Sequence, residues 1–351
     1  MERIDIKSLN LKELEELLVS LGEKKFRSKQ IYAWLHQKHA VSWEDMTDIS
    51  KKLREQLQKS CELTVLKQAE MQESKLDGTR KYLFVLSDGN MVESVLMRYK
   101  HGNSVCISSQ VGCRMGCRFC ASTLDGLVRG LTPSEMLDQI YRIQEDIGER
   151  VSNIVVMGTG EPMDNYDNLL KFIYLLTDEN GLNISQRNLT ISTCGIVPNM
   201  RRLADEKLQI TLALSLHASS QEKRLELMPV ANKYQIDEVI EACKYYFEQT
   251  GRRITFEYSL VGGVNDTDED AVQLAQLIKG MNCHVNLIPV NPIKERNYVQ
   301  SNAQVISNFK NKLEKYGINV TIRREMGRDI DGACGQLRKR FLSQEERQGL
   351  A

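Results

Sequence analysis

The sequence predicts an α/β protein: a partial (β/α)6 TIM-like barrel with a β-hairpin extension and a small N-terminal helical domain. Three observations predict it. From Val105 onward, short apolar runs alternate with helical stretches, the pattern of parallel βαβ units. Six or seven such units are too few to close an eight-stranded barrel. Upstream, residues 61–100 carry the two-residue period of strands, and residues 1–60 the helical period.

The elements follow in order. Leu9 and Leu11 lead into Glu13, Leu17 and Leu18 at helical spacing, and Gly22 ends that helix. Phe26 to Leu35 resumes it, with Ile31, Trp34 and Leu35 on one face. Lys81–Leu86 and Met91–Met97 flank Ser87-Asp88-Gly89-Asn90, which reads as a hairpin with a Gly-containing turn. Strands are expected at 104–108, 153–157, 188–193, 209–216, 253–260 and 284–289, with a seventh candidate at 320–323. Helices are expected at 133–147, 166–176, 236–249 and 268–279. The chain thus divides into a helical accessory domain (1–60), a hairpin extension (61–100), a barrel (101–335) with a mobile cysteine loop at 327–337, and a basic tail (336–351).

Composition sets the class. The 351 residues are 41% hydrophobic and 27% charged, the balance of an ordinary globular chain, which excludes disordered and fibrous classes. Lys+Arg and Asp+Glu are both 47, so any face that binds nucleic acid must be local rather than a product of net charge. Nine cysteines without an even framework, no apolar leader and no apolar run of membrane-spanning length point to a reducing cytoplasm.

The most specific motif is Cys113-x3-Cys117-x2-Cys120, directly after the first barrel strand. Thiolates suit a cubic iron–sulfur cluster. Closed zinc or electron-transfer sites want four protein ligands, so a triad leaves one iron open to a small chelating molecule. The spacing is similar to the run that opens radical S-adenosylmethionine (SAM) enzymes. The alternatives are a zinc site with a distant fourth ligand, or three unrelated core thiols.

Other motifs fall at predicted strand C-terminal ends, where such folds place their active sites. Strand two ends in Gly158-Thr159-Gly160-Glu161-Pro162, where glycines allow close approach and a carboxylate can receive an ammonium group. Strands three, four and six end in Ser192-Thr193-Cys194, Ser215-Leu216-His217 and Val290-Asn291. Their hydroxyls and amides suit ribose, carboxylate and adenine, though a lone Ser or Asn is usually a turn residue and His217 also reads as structural. Cys106 lies on the first barrel strand, and Cys334 lies between Gly332 and Gly335. Cys61, Cys194, Cys243 and Cys283 read as inert buried thiols.

Taken together, these motifs resemble one family: the radical SAM adenine-C2 methyltransferases of 23S rRNA and tRNA, which also contains C8-methylating antibiotic-resistance enzymes. The carriers are Val92-Glu93-Ser94-Val95, Cys106 through Cys113, the cysteine triad, Gly158–Pro162, Ser215-Leu216-His217 and Asp329 through Leu337. Gly332 stands where the family usually has alanine, and Pro162 matches the C2 branch, the C8 branch having alanine there. The resemblance implies that Cys113, Cys117 and Cys120 bind a [4Fe-4S] cluster. It implies that Gly160, Glu161, Ser192, Ser215, Leu216, His217 and Asn291 contact SAM, used twice per turnover. It further implies that Cys334 carries a methyl group, that Glu93 accepts a proton, and that Cys106 closes a transient disulfide with Cys334. Implied partners are 23S rRNA, tRNA and a reducing electron donor such as flavodoxin or ferredoxin, with no membrane and a monomeric chain.

The chemistry explains the extra thiols. Adenine C2 lies between two ring nitrogens and is electron-poor, so it cannot displace a SAM methyl directly. A thiolate can. The target base must leave its stack, and RNA affinity should come largely from phosphates. Candidate donors are Arg323, Arg324 and Arg328, the tail Arg338-Lys339-Arg340, and Lys24, Lys25, Arg27 and Lys29. The last four and the tail also read as solvated charge runs. C8 methylation and a non-catalytic iron–sulfur RNA-binding protein are the rival readings.

Overall fold

A computed structural model describes residues 3–291, 297–330, 337–338 and 340–341. Cys334, most of the predicted cysteine loop and most of the basic tail therefore lie outside the described residues.

The N-terminal segment pairs strand β1 (Ile4–Asp5) in parallel with β2 (Cys61–Glu62), and between them run helices α1 (Leu11–Ser20), α2 (Arg27–His36) and α3 (Lys51–Ser60). Asn10 and Glu13 form a capping box at the start of α1. Leu14, Leu18, Ile31, Leu35, Leu53 and Leu57 are the buried stripe of these helices and belong to the same core as the barrel.

Next come three antiparallel strands: β3 (Lys67–Glu73), β4 (Arg80–Val85) and β5 (Met91–Tyr99). β5 pairs antiparallel with β6 (Gly102–Ile107), so the predicted hairpin is a three-stranded wing of the barrel sheet itself. Sequence missed β3 for a physical reason: Lys-Gln-Ala-Glu-Met-Gln-Glu is a polar edge strand with no apolar run to signal it. Two short strands follow, β7 (Gln110–Gly112) and β8 (Leu127–Gly130), paired antiparallel to each other.

The barrel alternates α4 (Pro133–Ile147), β9 (Val151–Val156), α5 (Tyr166–Thr177), β10 (Leu189–Thr193), α6 (Val197–Asp205) and β11 (Thr211–Ser215). It continues with α7 (Gln221–Leu227), α8 (Ile236–Thr250), β12 (Ile254–Leu260), α9 (Asp268–Leu277), β13 (Cys283–Pro289), α10 (Ala303–Lys315) and β14 (Asn319–Ile322). The ten-stranded order is β14-β13-β12-β11-β10-β9-β6-β5-β4-β3, and β6 and β9 to β14 are all parallel. The six crossovers match the predicted (β/α)6 count, and the candidate seventh strand pairs with β13. Helix starts are written locally: α4 opens on a Thr132–Glu135 capping box with Pro133 in the first turn, and Gly148 ends it at φ 62°.

Alternation along the strands sorts the two faces. Val105, Ile107, Ile154, Leu189, Ile191, Leu212, Leu214, Ile254, Phe256, Tyr258, Val285 and Leu287 join the helices in one core. The residues between them, including Cys106, Ser192, Ser215, Glu257 and Asn286, face the concave side.

A buried ion pair fastens the N-terminal segment to the barrel. Lys7 Nζ donates to Asp138 Oδ1 of α4 at 2.7 Å, and Asp138 Oδ2 accepts the Leu66 amide at 2.7 Å. Both side chains are wholly buried. Removing Asp138 leaves the Lys7 charge buried with only the Thr64 carbonyl, whereas removing Lys7 leaves Asp138 its pairing with Arg142 at 3.5 Å. Asp138→Ala is expected to lose about 3–5 kcal/mol in urea unfolding, and Lys7→Met less. The double variant should fall short of the sum of the singles, the mark of direct coupling.

Candidate active site

The cysteine loop is pinned from both ends by the β7–β8 pair, with Gln110 opposite Gly130 and Gly112 opposite Leu127. Gly112 sits at φ +76°, and a Cβ there would fall 2.0 Å from the Gly126 carbonyl oxygen. No other residue fits. That closeness lets the Cys113 amide donate to the same oxygen at 2.8 Å. Thr123 Oγ1 donates to the carbonyls of Cys117 and Cys120 at 3.1 and 3.0 Å, and the Arg118 amide donates to Leu227 of α7 at 2.9 Å. Cys113 is buried, whereas Cys117 and Cys120 are half-buried.

Burial pushes the Cys113 thiol up to about 12, with Cys120 among the anions adding to it. Burial also raises Cys117 strongly, and both Cys120 and Cys113 push it further. The three thiols therefore sense one another, and their ionised forms repel unless a cationic centre takes the charge. Among the described residues no three His, Cys, Asp or Glu side chains are arranged to hold a metal ion. Three soft thiolates from one loop are the donors that a [4Fe-4S] cluster would take. The donor set fits such a cluster.

Beside the loop stands Glu161, which is buried. It accepts from Thr193 Oγ1 at 2.7 Å, the Cys194 amide at 2.7 Å and the Met163 amide at 3.0 Å. Burial raises its pKa, against the pull of those hydrogen bonds. Its own amide donates to Gln110 Oε1 at 2.8 Å, and Gln110 Nε2 donates to Asp164, which also pairs with Arg114 of the cysteine loop. Gly160, at φ +110°, lies so close to Gln110 that a Cβ would be 2.6 Å from the Gln110 Cβ.

Along the other strand ends, Ser192 Oγ lies 3.3 Å from Ser215 Oγ. Leu216 turns its side chain into the core, and its amide donates to the Glu257 carbonyl at 3.0 Å. His217 is buried at φ 53°, a left-handed conformation rare outside glycine. Its Nδ1 accepts the Ser259 amide at 2.9 Å, and its ring meets Phe119 of the cysteine loop edge-on at 4.9 Å. Burial, with Arg224 second, depresses its pKa to about 3, so the ring is neutral and carries its proton on Nε2. Asn291 is exposed just beyond β13.

Glu93 and Cys106 share the concave face of the adjoining β5 and β6, where Cys106 pairs with Val95. Buried Lys81 reaches Glu93 Oε2 at 3.0 Å, and Glu93 Oε1 accepts the Arg338 amide at 2.7 Å. Sequence reading passed over Lys81, Gln110 and Thr193 as site residues. The hairpin register held a signal for the first: with Leu83 opposite Glu93 and Lys81 opposite Val95, Lys81 and Glu93 are diagonal neighbours on one face.

The proposed phosphate donors divide. Arg323 and Arg324 are exposed. Arg328 pairs with Glu325, Arg338 with Asp125, Arg340 with Glu70, and Lys25 with Glu15.

Comparison with known proteins matches two stretches of the chain to family models. Residues 4–63 match the family described as "Ribosomal RNA large subunit methyltransferase N-terminal domain", and residues 107–278 match the "Radical SAM superfamily". A "Probable dual-specificity RNA methyltransferase RlmN" from Lachnospira eligens is 68% identical over 96% of this chain and 97% of its own length. Its namesake from Alkaliphilus oremlandii is 56% identical over 97% of this chain and 99% of its own. A radical SAM methyltransferase from Sphaerobacter thermophilus superposes with a TM-score of 0.91 at 42% identity, covering 95% of this chain and 98% of that one.

The chain belongs to the RlmN family of dual-specificity radical SAM RNA methyltransferases. It is an enzyme whose family chemistry uses a [4Fe-4S] cluster and SAM. Among the described residues no helix is long and apolar enough to cross a membrane.

His217 supplies a test of this RlmN-family site. Its folded pKa of about 3 lies below the ordinary value of 6.5. Between those limits the unfolded chain binds a proton that the folded chain does not, so stability falls as pH drops from about 6.5 toward 3. Asparagine tolerates the left-handed backbone and can accept from Ser259. His217→Asn should therefore fold at neutral pH and lose stability less steeply in acid, by up to about 1.4 kcal/mol per pH unit. His36, also depressed to about 3 by burial, should leave a residual slope. Chemical denaturation from pH 7 to 4 reads the difference.

Proposed function

We propose that the enzyme methylates C2 of an adenosine in 23S rRNA and of an adenosine beside the anticodon in tRNA, through a methyl group carried on Cys334 and a transient protein–RNA bond. One observation supports this best. The chain on both sides of residues 331–336 is anchored to the wing that carries Glu93. Upstream, Asp329 accepts from Ser74 Oγ at 2.6 Å and the Lys75 amide at 2.8 Å, and Asp77 accepts the Gly327 amide at 3.1 Å. Downstream, the Arg338 amide donates to Glu93 itself at 2.7 Å. The described residues on both sides of Cys334 are thus tied to the three-stranded wing that carries Glu93 and pairs with the strand of Cys106.

In this reading Cys113, Cys117 and Cys120 hold the cluster, and the strand ends at Gly160, Glu161, Ser192, Ser215, Leu216, His217 and Asn291 bind SAM. Glu161 suits the methionyl ammonium, because it is buried and its hydrogen bonds come from neutral donors. When bound, the cluster supplies the electron that splits SAM to a deoxyadenosyl radical. Cys334 takes a methyl from one SAM by displacement. After hydrogen loss to the radical made from a second SAM, the Cys334-borne carbon adds to C2. Glu93, paired with Lys81, would take the C2 proton, and the unpaired electron left on the ring would return to the iron–sulfur centre. The Cys106 thiolate then displaces the Cys334 sulfur as a disulfide, and the freed carbon takes a proton. RNA would be steered by the exposed Arg323 and Arg324, and electrons would come from flavodoxin or ferredoxin in the cytoplasm.

The test separates the two thiols. Cys106→Ala should still load the methyl and bond to adenine, then stall as an RNA adduct that survives denaturation and shrinks with nuclease. Cys334→Ala should give neither methyl loading nor adduct. Normal turnover by Cys106→Ala would sink the assignment. Nucleoside mass spectrometry and NMR of modified RNA should locate the methyl on C2. A methyl on C8 would place the enzyme in the resistance branch.

A further inference from the structure

Helix α7 carries a buried charge that none of the assigned roles uses. Arg224 is wholly buried. Its Nη2 donates to the Cys194 carbonyl at 2.6 Å and its Nη1 to the Tyr234 carbonyl at 3.3 Å, while Nε has no partner. Among the described residues the groups that act on its charge are thiols, those of Cys194, Cys117 and Cys243, and no carboxylate is among them. A guanidinium so placed is costly, because two neutral carbonyls replace neither its hydration nor a counter-ion.

The surroundings are built for it nonetheless. A Cβ on Gly195 would lie 3.2 Å from Nη2, so glycine leaves the room the guanidinium occupies. Cys194, whose carbonyl accepts Arg224, donates its N–H, which belongs to the preceding peptide unit, to Glu161 Oε2 at 2.7 Å. Cation and carboxylate therefore flank the backbone of Cys194. The last residue of α7, Leu227, accepts the Arg118 amide of the cysteine loop at 2.9 Å, and Leu227, Met228 and Cys194 form one apolar cluster against which Cys117 and Phe119 pack. Among the described residues no carboxylate pairs directly with Arg224, and the neighbouring loop carries three thiols.

We propose that Arg224 is the buried counter-charge of the iron–sulfur centre held by Cys113, Cys117 and Cys120, and that it raises the centre's reduction potential by favouring the more electron-rich reduced state. This rests on the reading that the triad holds the cluster. Three thiolates make such a centre net negative, and net charge and nearby charge are among the levers that set its potential. Arg224 acts through space, so it is a positioning residue rather than a catalytic one.

The experiment uses the full chain, as purified and after anaerobic reconstitution with iron and sulfide, comparing the parent with Arg224→Met, Arg224→Gln and Arg224→Lys. EPR-monitored redox titration without SAM reads the potential. Both neutral variants should be reduced about tenfold less at a fixed poise, a shift of about 59 mV to more negative values for one electron. Arg224→Lys should stay near the parent. Iron-free Arg224→Met should melt no lower than the iron-free parent, since an uncompensated buried charge has been removed. If Met is not tolerated, Gln carries the test, because its amide can still donate to the Cys194 carbonyl. Neutral variants with full iron and an unchanged potential would overturn the proposal. So would a neutral variant that merely melts earlier while the potential stays put. Failure of the parent itself to take up iron would overturn the cluster reading instead, and the two failures are told apart by the parent's iron content.

Discussion

One buried carboxylate holds the catalytic end of this barrel together. Glu161 receives the Thr193 hydroxyl and the Cys194 amide from the end of β10 and the Met163 amide from its own loop, and its amide reaches Gln110 beside the cysteine loop. Gln110 passes the connection to Asp164 and so to Arg114. A negative charge in an apolar interior is tolerated only when such donors surround it. Among the described residues these donors are neutral and no cation pairs with the carboxylate, which is the electrostatic opening a ligand ammonium would fill.

The concave face beyond Glu161 is polar by register. Ser215 pairs with Glu257, Glu257 with Asn286, and Asn286 with Thr321, so one rung of polar side chains crosses four strands. Asn286 Nδ2 donates to Glu257 at 2.9 Å, and Thr321 Oγ1 donates to Asn286 at 3.2 Å. The wing strands extend the same face, with Lys81 and Glu93 at the far side. Ser108 joins wing to barrel: its hydroxyl donates to the Glu93 carbonyl at 2.7 Å and accepts the Thr159 amide at 3.0 Å. The wing is thus continuous with the barrel sheet rather than an appendage to it.

The clamps on either side of residues 331–336 share this logic. Asp329 and Asp77 fasten one side to the turn between β3 and β4, and the Arg338 amide fastens the other to Glu93. Both anchors belong to the wing. A strand that the residues barely announce, β3, is what gives the turn at Ser74–Thr79 its place.

Much was legible in the residues themselves. The bounds of α4 and the six crossovers follow from apolar period and from capping pairs such as Thr132 with Glu135, which act over three or four residues. The cysteine spacing and the Gly-x-Gly-Glu run pointed to the site's chemistry, because ligand number and close backbone approach are local properties. Other features depend on strands distant in sequence meeting in register. Polar β3 becomes a strand only because β4 offers it a partner. His217 takes a left-handed backbone because Ser259 and Asn265 hold it there. Lys81 becomes a site residue only through its pairing with Glu93, and Arg224 only through the fold that buries it behind Cys194. A charge's meaning depends on what surrounds it, and for these residues the surroundings are supplied by tertiary structure alone.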